Sequence, residues 1–130
     1  MTISRKVYLQ KIITLHERLI IASEEYENIS EEFIQQGNLD IPSMKEQWLK
    51  KVVEFKQINT EMNGLEIPAA FEKEGGALKE AYEIYVSCVE EKTQKFSVET
   101  MESGELDAIQ EAEVQAAEEM EELMEAMFEK

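Results

Sequence analysis

Cysteine, histidine, proline and glycine are all scarce in this 130-residue chain, which holds one Cys, one His, two Pro and five Gly. With Cys88 alone, no intrachain disulfide and no cysteine-based zinc site can form, and a lone thiol suits a reducing compartment. The single His16 is preceded three positions earlier by Ile13, so the Glu-x-x-His pairs of a di-iron bundle are absent. So little proline and glycine disfavours a β-sandwich or barrel, which needs a turn about every 8–12 residues. No Asp-x-Asp-x-Asn-Gly calcium loop occurs, and Gly75-Gly76 lacks the preceding strand and the spacing of a phosphate-binding loop.

Long apolar runs are missing too. The start, Met1-Thr2-Ile3-Ser4-Arg5-Lys6, opens like a signal peptide, but Gln10-Lys11 and then His16-Glu17-Arg18 interrupt its apolar stretch. No uncharged window approaches the roughly 18 residues that span a bilayer. A cytoplasmic location is expected.

Positive charge is the other deficit: 13 Lys and Arg stand against 29 Asp and Glu, a net charge of −16. The imbalance is concentrated late in the chain, where Glu99 to Lys130 contains twelve carboxylates and one lysine. Phosphate backbones and anionic lipid headgroups are repelled by such a chain, so neither nucleic acid nor membrane is an expected partner.

What is abundant is helical periodicity. Tyr8, Ile12, Leu15, Leu19, Ala22, Tyr26, Ile29 and Phe33 keep 4-3 spacing without a miss, which lines one face of a long helix that Gly37-Asn38 stops. A second helix opens near Pro42, with Ser43 and Glu46 as a capping box, and carries Trp48, Val52, Phe55 and Met62. The third runs from Pro68 through Gly75-Gly76 to about Ser97 on Phe71, Leu78, Tyr82, Tyr85, Val89 and Phe96. Ser103 caps the fourth, whose line is Leu106, Ile109, Glu113, Ala116, Met120, Leu123 and Met127. Short connections favour antiparallel neighbours. The expectation is one all-α domain, residues 1–130, folded as an antiparallel up-down four-helix bundle with helices at 3–36, 43–63, 68–97 and 104–129. In it the basic start of the first helix (Arg5, Lys6, Lys11, Arg18) would answer the acidic end of the fourth.

The chemistry-bearing residues read as structural. Cys88 lies beside Ala81, Ile84 and Val89 on a helical face, and His16 beside Leu15. No catalytic residue, cofactor site or metal site is assigned, and an enzyme is not expected. A non-enzymatic protein-interaction module is: an adaptor, a secretion helper or an immunity-type protein, meeting a partner with a basic or apolar surface. The candidate contact residues are Glu111, Glu118, Glu122, Met124, Glu125 and Glu129, because the fourth helix joins an acidic stripe to adaptable methionine. The alternatives are an acidic nucleic-acid mimic that occupies a DNA-binding protein, and a bundle that holds a small ligand. A first helix some ten residues longer than the second leaves apolar surface at one end, and Ile3, Val7, Leu9 and Ile13 there offer a homodimer contact. In size and helical hairpins the chain resembles the partner proteins of type VII secretion. Their Trp-x-Gly turn is missing, since Leu49-Lys50 follows Trp48, and no membership follows.

Overall fold

The computed structural model describes residues 3–37 and 40–130, and every regular element among them is helical. Five α-helices occur: α1 (Arg5–Gln35), α2 (Ile41–Asn63), α3 (Glu72–Lys95), α4 (Val98–Ser103) and α5 (Asp107–Glu129). A single 3-10 turn, Ala69–Phe71, leads into α3.

Local chemistry explains most boundaries. The Ser4 hydroxyl accepts a hydrogen bond from the Val7 amide at 3.2 Å and opens α1. After Gln36 the chain takes the left-handed conformation at Gly37 (φ +68°), the C-terminal stop expected there; Asn38, the other half of that signal, lies outside the described residues. For α2 the cap is Asp40 rather than Ser43. Its carboxylate accepts from the Ser43 amide at 3.2 Å and from the Ser43 hydroxyl at 2.7 Å, so the helix starts two residues earlier than expected and no Ser43–Glu46 box forms.

Two expectations about the later helices are corrected. α3 does not run unbroken from Pro68: the 3-10 turn intervenes, and the α-helix begins at Glu72, then continues straight through Gly75-Gly76. The second correction is larger. Residues expected to form a loop fold into α4, because Ser97 and Thr100 make a reciprocal capping box. The Ser97 hydroxyl accepts from the Thr100 amide, and the Thr100 hydroxyl accepts from the Ser97 amide. Ser103, expected to cap the last helix, instead ends α4. Gly104 (φ +74°) then reverses the chain, and α5 starts at Asp107 without a side-chain cap.

Pairwise contacts set the packing. α1 and α2 run antiparallel, joined by Arg18–Glu61 (2.8 Å), Lys51–Glu25 (3.0 Å) and the Trp48 indole donating to the Tyr26 carbonyl (2.9 Å). α2 and α3 are antiparallel through Lys56–Glu90 and through Lys45, which donates to the Gln94 carbonyl in the last turn of α3. α3 and α5 are antiparallel through Lys92–Glu113 at one end and Lys130–Glu74 at the other. Those three pairs bring their backbones close together, whereas α1 and α5 are not joined by any comparable approach. Instead α1 reaches across to α3 by three side-chain hydrogen bonds: His16 Nδ1 with the Tyr82 hydroxyl (2.8 Å), Ser23 with Tyr85 (2.7 Å) and Tyr26 with Thr93 (2.6 Å). Burial keeps both partners of the first bond uncharged, pulling His16 below its ordinary 6.5 and pushing the Tyr82 phenol up.

The core runs along the interior from Tyr8, Ile12 and Phe71 to Val52, Phe55, Val86 and Val89, with Met120, Met124 and Met127 closing it from α5. A smaller cluster of Ile29, Met44 and Trp48 sits at the α4 end with Phe33 and Phe96. The overhang of α1 past α2 is covered from within the chain: Phe71, 1% exposed, packs on Tyr8 with ring centroids 6.0 Å apart, and Leu65 and Ile67 pack there too. Val7 remains exposed.

The expected ion pairing of the α1 start with the α5 end is not found. Arg18 pairs with Glu61 on α2, and among the described residues none of Arg5, Lys6 and Lys11 pairs with an α5 carboxylate. The residues α5 presents there, Met127, Phe128 and the cationic Lys130, are the physical reason. Arg5 and Lys6 there face a shallow cavity with Met127 and Phe128, not a row of glutamates.

Candidate protein-binding groove

Where α1 and α5 stand apart at the α4 end, a cavity of about 750 Å³ opens. Its floor is aromatic. Trp48, 5% exposed, stacks on Tyr26 (centroids 5.4 Å apart, planes at 21°) and receives the Phe96 ring edge-on at 4.8 Å. Met44 lies beside them. The walls are Ile34 from the end of α1 and Val98 and Met101 from α4, all exposed, with Leu106 at the turn into α5. Three large apolar side chains exposed together beside an aromatic floor differ from the scattered single ones of an ordinary surface.

Along α1 this space continues into a second cavity of about 340 Å³, lined by the apolar Trp48, Phe55 and Val89 together with Ser23, Tyr26, Glu27, Ser30, Glu31, Tyr85, Lys92, Gln110 and Glu113. Tyr26, Ser30, Trp48, Lys92 and Gln110 line both, so the two form one groove. Among the described residues Lys92 is its single cation. The Lys92 ammonium is committed: it donates to Glu113 Oε1 (2.9 Å) and Oε2 (3.2 Å) and to Gln110 (2.9 Å), and lies 5.6 Å from the centre of the Tyr26 ring. The pair is largely withdrawn from water, with side chains 18% and 11% exposed. Glu113, the charged break in an otherwise apolar helical line, is thus explained by a partner on α3.

The other carboxylates of the groove have no such partner. Glu27, Glu31, Glu102 and Asp107 line it from exposed positions, and among the described residues none of them is in an ion pair. Burial pushes the Tyr26 phenol up to about 12, against the smaller downward pull of its hydrogen bond with Thr93, so it stays neutral. The groove is therefore apolar at its base and negative at its rim.

The residues singled out from sequence lie elsewhere. Glu111, Glu118, Glu122, Glu125 and Glu129 are exposed on α5, and none lines the groove. Met124 is 8% exposed and belongs to the core cluster, so it offers no contact surface. Sequence reasoning missed Ile34, Val98, Met101 and Glu102. One signal was present: Val98 and Met101 sit three apart behind a Ser-x-x-Thr cap, a short amphipathic turn inside the expected loop.

Nucleophilic chemistry is poorly served by the remaining candidates. Burial, then Glu113 and Glu91, hold the Cys88 thiol above its ordinary range, and His16 is committed to Tyr82. Among the described residues no helix is long and apolar enough to cross a membrane, and no group of three His, Cys, Asp or Glu is placed to hold a metal ion. Compared with known protein families, with curated proteins and with solved structures, the chain matches none.

Proposed function

We propose that this protein is a non-enzymatic interaction module that holds a segment of another protein in the groove beneath α4. Its scaffold, on this reading, is an up-down four-helix bundle of α1, α2, α3 and α5. The antiparallel contacts between successive long helices support that arrangement, with α4 standing as a spur beside the open α1–α5 side. The observation that carries the function is the aromatic-floored cavity of about 750 Å³ whose one cation among the described residues, Lys92, is already neutralised from within. Such a site attracts apolar groups and positive charge together.

A small-ligand reading has one observation in its favour, since the volume falls within the roughly 300–1,000 Å³ of ordinary ligand pockets. A nucleic-acid mimic would instead use the outer stripe of α5, where Glu118, Glu122, Glu125 and Glu129 are exposed. Photo-crosslinking in the cells that make the protein separates the three. A photoreactive residue replaces Val98 in the groove or, in a second variant, Glu122 on the outer stripe. The expected result is one discrete protein adduct from position 98 and none from 122. An adduct from 122 alone would move the contact to the acidic stripe. No adduct from either, with both variants folded, would end the interaction reading.

A further inference from the structure

We infer that the segment held in the groove is a basic amphipathic helix, with an apolar anchor over the Trp48 floor and lysine or arginine about one turn further along, opposite Glu27 and Glu31. The inference rests on the groove reading above and specifies its partner. Three features of the groove lead to it.

The first is its shape. From Ile34 through Ser30 and Glu27 to Ser23 the groove follows α1 for twelve residues, roughly 17 Å, or three helical turns. The second is backbone chemistry. Among the described residues there is no strand, so an extended segment finds no sheet edge for its peptide groups, and walls such as Ile34, Val98 and Met101 offer them nothing. A helix satisfies its own backbone and presents only side chains. The third is the order of chemistry along the groove. The wide end holds the Trp48 floor with the exposed Glu102 and Asp107 among its lining, and Glu27 and Glu31 lie toward the narrow end with Glu113 already bound to Lys92. An anchor and a cation three or four residues apart on one helix face match that order.

Other occupants fit less well. A second copy of this chain brings its own net charge of −16 to a negative rim. Its basic stretch from Arg5 to Lys11 presents no apolar stripe, because Tyr8 and the neighbouring Ile12 are fully buried in its own core, Leu9 is half-buried and Val7 alone is exposed. An anionic membrane is repelled by the same carboxylates.

The test uses the full chain and a 16-residue synthetic peptide with a leucine and phenylalanine stripe flanked by lysines, titrated by calorimetry at moderate salt. Two control peptides accompany it: one with every lysine replaced by glutamate, and one scrambled to the same composition without the stripe. The amphipathic basic peptide is expected to bind, the scrambled one at least about tenfold more weakly, and the acidic one not at all. Met101→Asp and the double variant Glu27→Lys/Glu31→Lys should each weaken binding about tenfold or more, whereas Glu122→Lys/Glu125→Lys should change it less than about twofold. All these positions are exposed, so thermal melts should show each variant folded. Equal binding of the scrambled peptide, or an outer-stripe variant that weakens binding as much as a groove variant, would overturn the inference. Light scattering of the free chain completes the test: a dimer released by Met101→Asp would give the groove to a second copy and overturn it as well. A crosslinked partner at position 98 together with no peptide binding would leave the groove reading standing and remove only the basic helix.

Discussion

Lys92→Met is expected to cost the fold about 3 kcal/mol, because it strands Glu113 in a site from which water is largely excluded. Among the described residues the Lys92 ammonium is the one cation paired with that carboxylate, and Gln110 is already turned toward the same nitrogen. Glu113→Leu should cost a comparable amount by leaving the ammonium against the Tyr26 ring with only Gln110 to accept from it. The double variant Lys92→Met/Glu113→Leu should recover most of the loss, since two apolar side chains replace a pair whose attraction was largely offset by desolvation. Urea denaturation of the four proteins gives the coupling directly. Single-variant losses below about 1 kcal/mol would mean that the pair behaves like an ordinary surface contact. α5 would then close on α3 loosely enough for water to reach the pair.

Gly75→Ala and Gly76→Ala should shift stability in opposite directions although the residues are neighbours on one helix. A Cβ at position 75 would stand 2.6 Å from Ile67 Cγ2 and 2.8 Å from the Tyr8 hydroxyl oxygen. Tyr8 is fully buried and β-branched Ile67 is stiff about χ1, so neither yields freely, and overpacking of this kind costs about 1–3 kcal/mol. At Gly76 the same atom meets nothing within 4 Å, and alanine should gain about 1 kcal/mol from helix propensity alone. Thermal melts of the two variants suffice. Stabilisation by Gly75→Ala would show that the segment from Leu65 to Phe71 does not lie against the start of α1. Here the glycine admits side chains from α1 and from the preceding loop; the neighbour it accommodates is not another backbone.

The long helices were legible because their information is local. Tyr8 to Phe33 repeats one spacing for seven steps, and the structure buries most of that line. Glu113 was also legible as an anomaly, though its partner was not, since Lys92 lies on another helix and no local rule pairs them. α4 escaped for a different reason. Its cap uses threonine where the familiar capping box has glutamate or glutamine, and Ser103 imitates the start of a helix while ending one. Missing α4 meant missing the groove, because Val98 and Met101 form its outer wall. The acidic stripe on α5 was the more visible feature, being contiguous in sequence. The groove draws on α1, α2, α3, α4 and the start of α5, and only the folded chain brings Ile34, Met44, Trp48, Phe96 and Met101 together.

Methionine methyl resonances offer the most direct measurement of where this protein binds. Met44 and Met101 line the groove, whereas Met120, Met124 and Met127 lie in the core beneath the acidic α5. With methyl-labelled protein and the basic amphipathic peptide, the Met44 and Met101 signals should move together, saturably, while the three α5 signals stay in place. Movement of Met120, Met124 and Met127 with Met44 and Met101 unchanged would contradict binding in the groove and return the contact to the acidic helix.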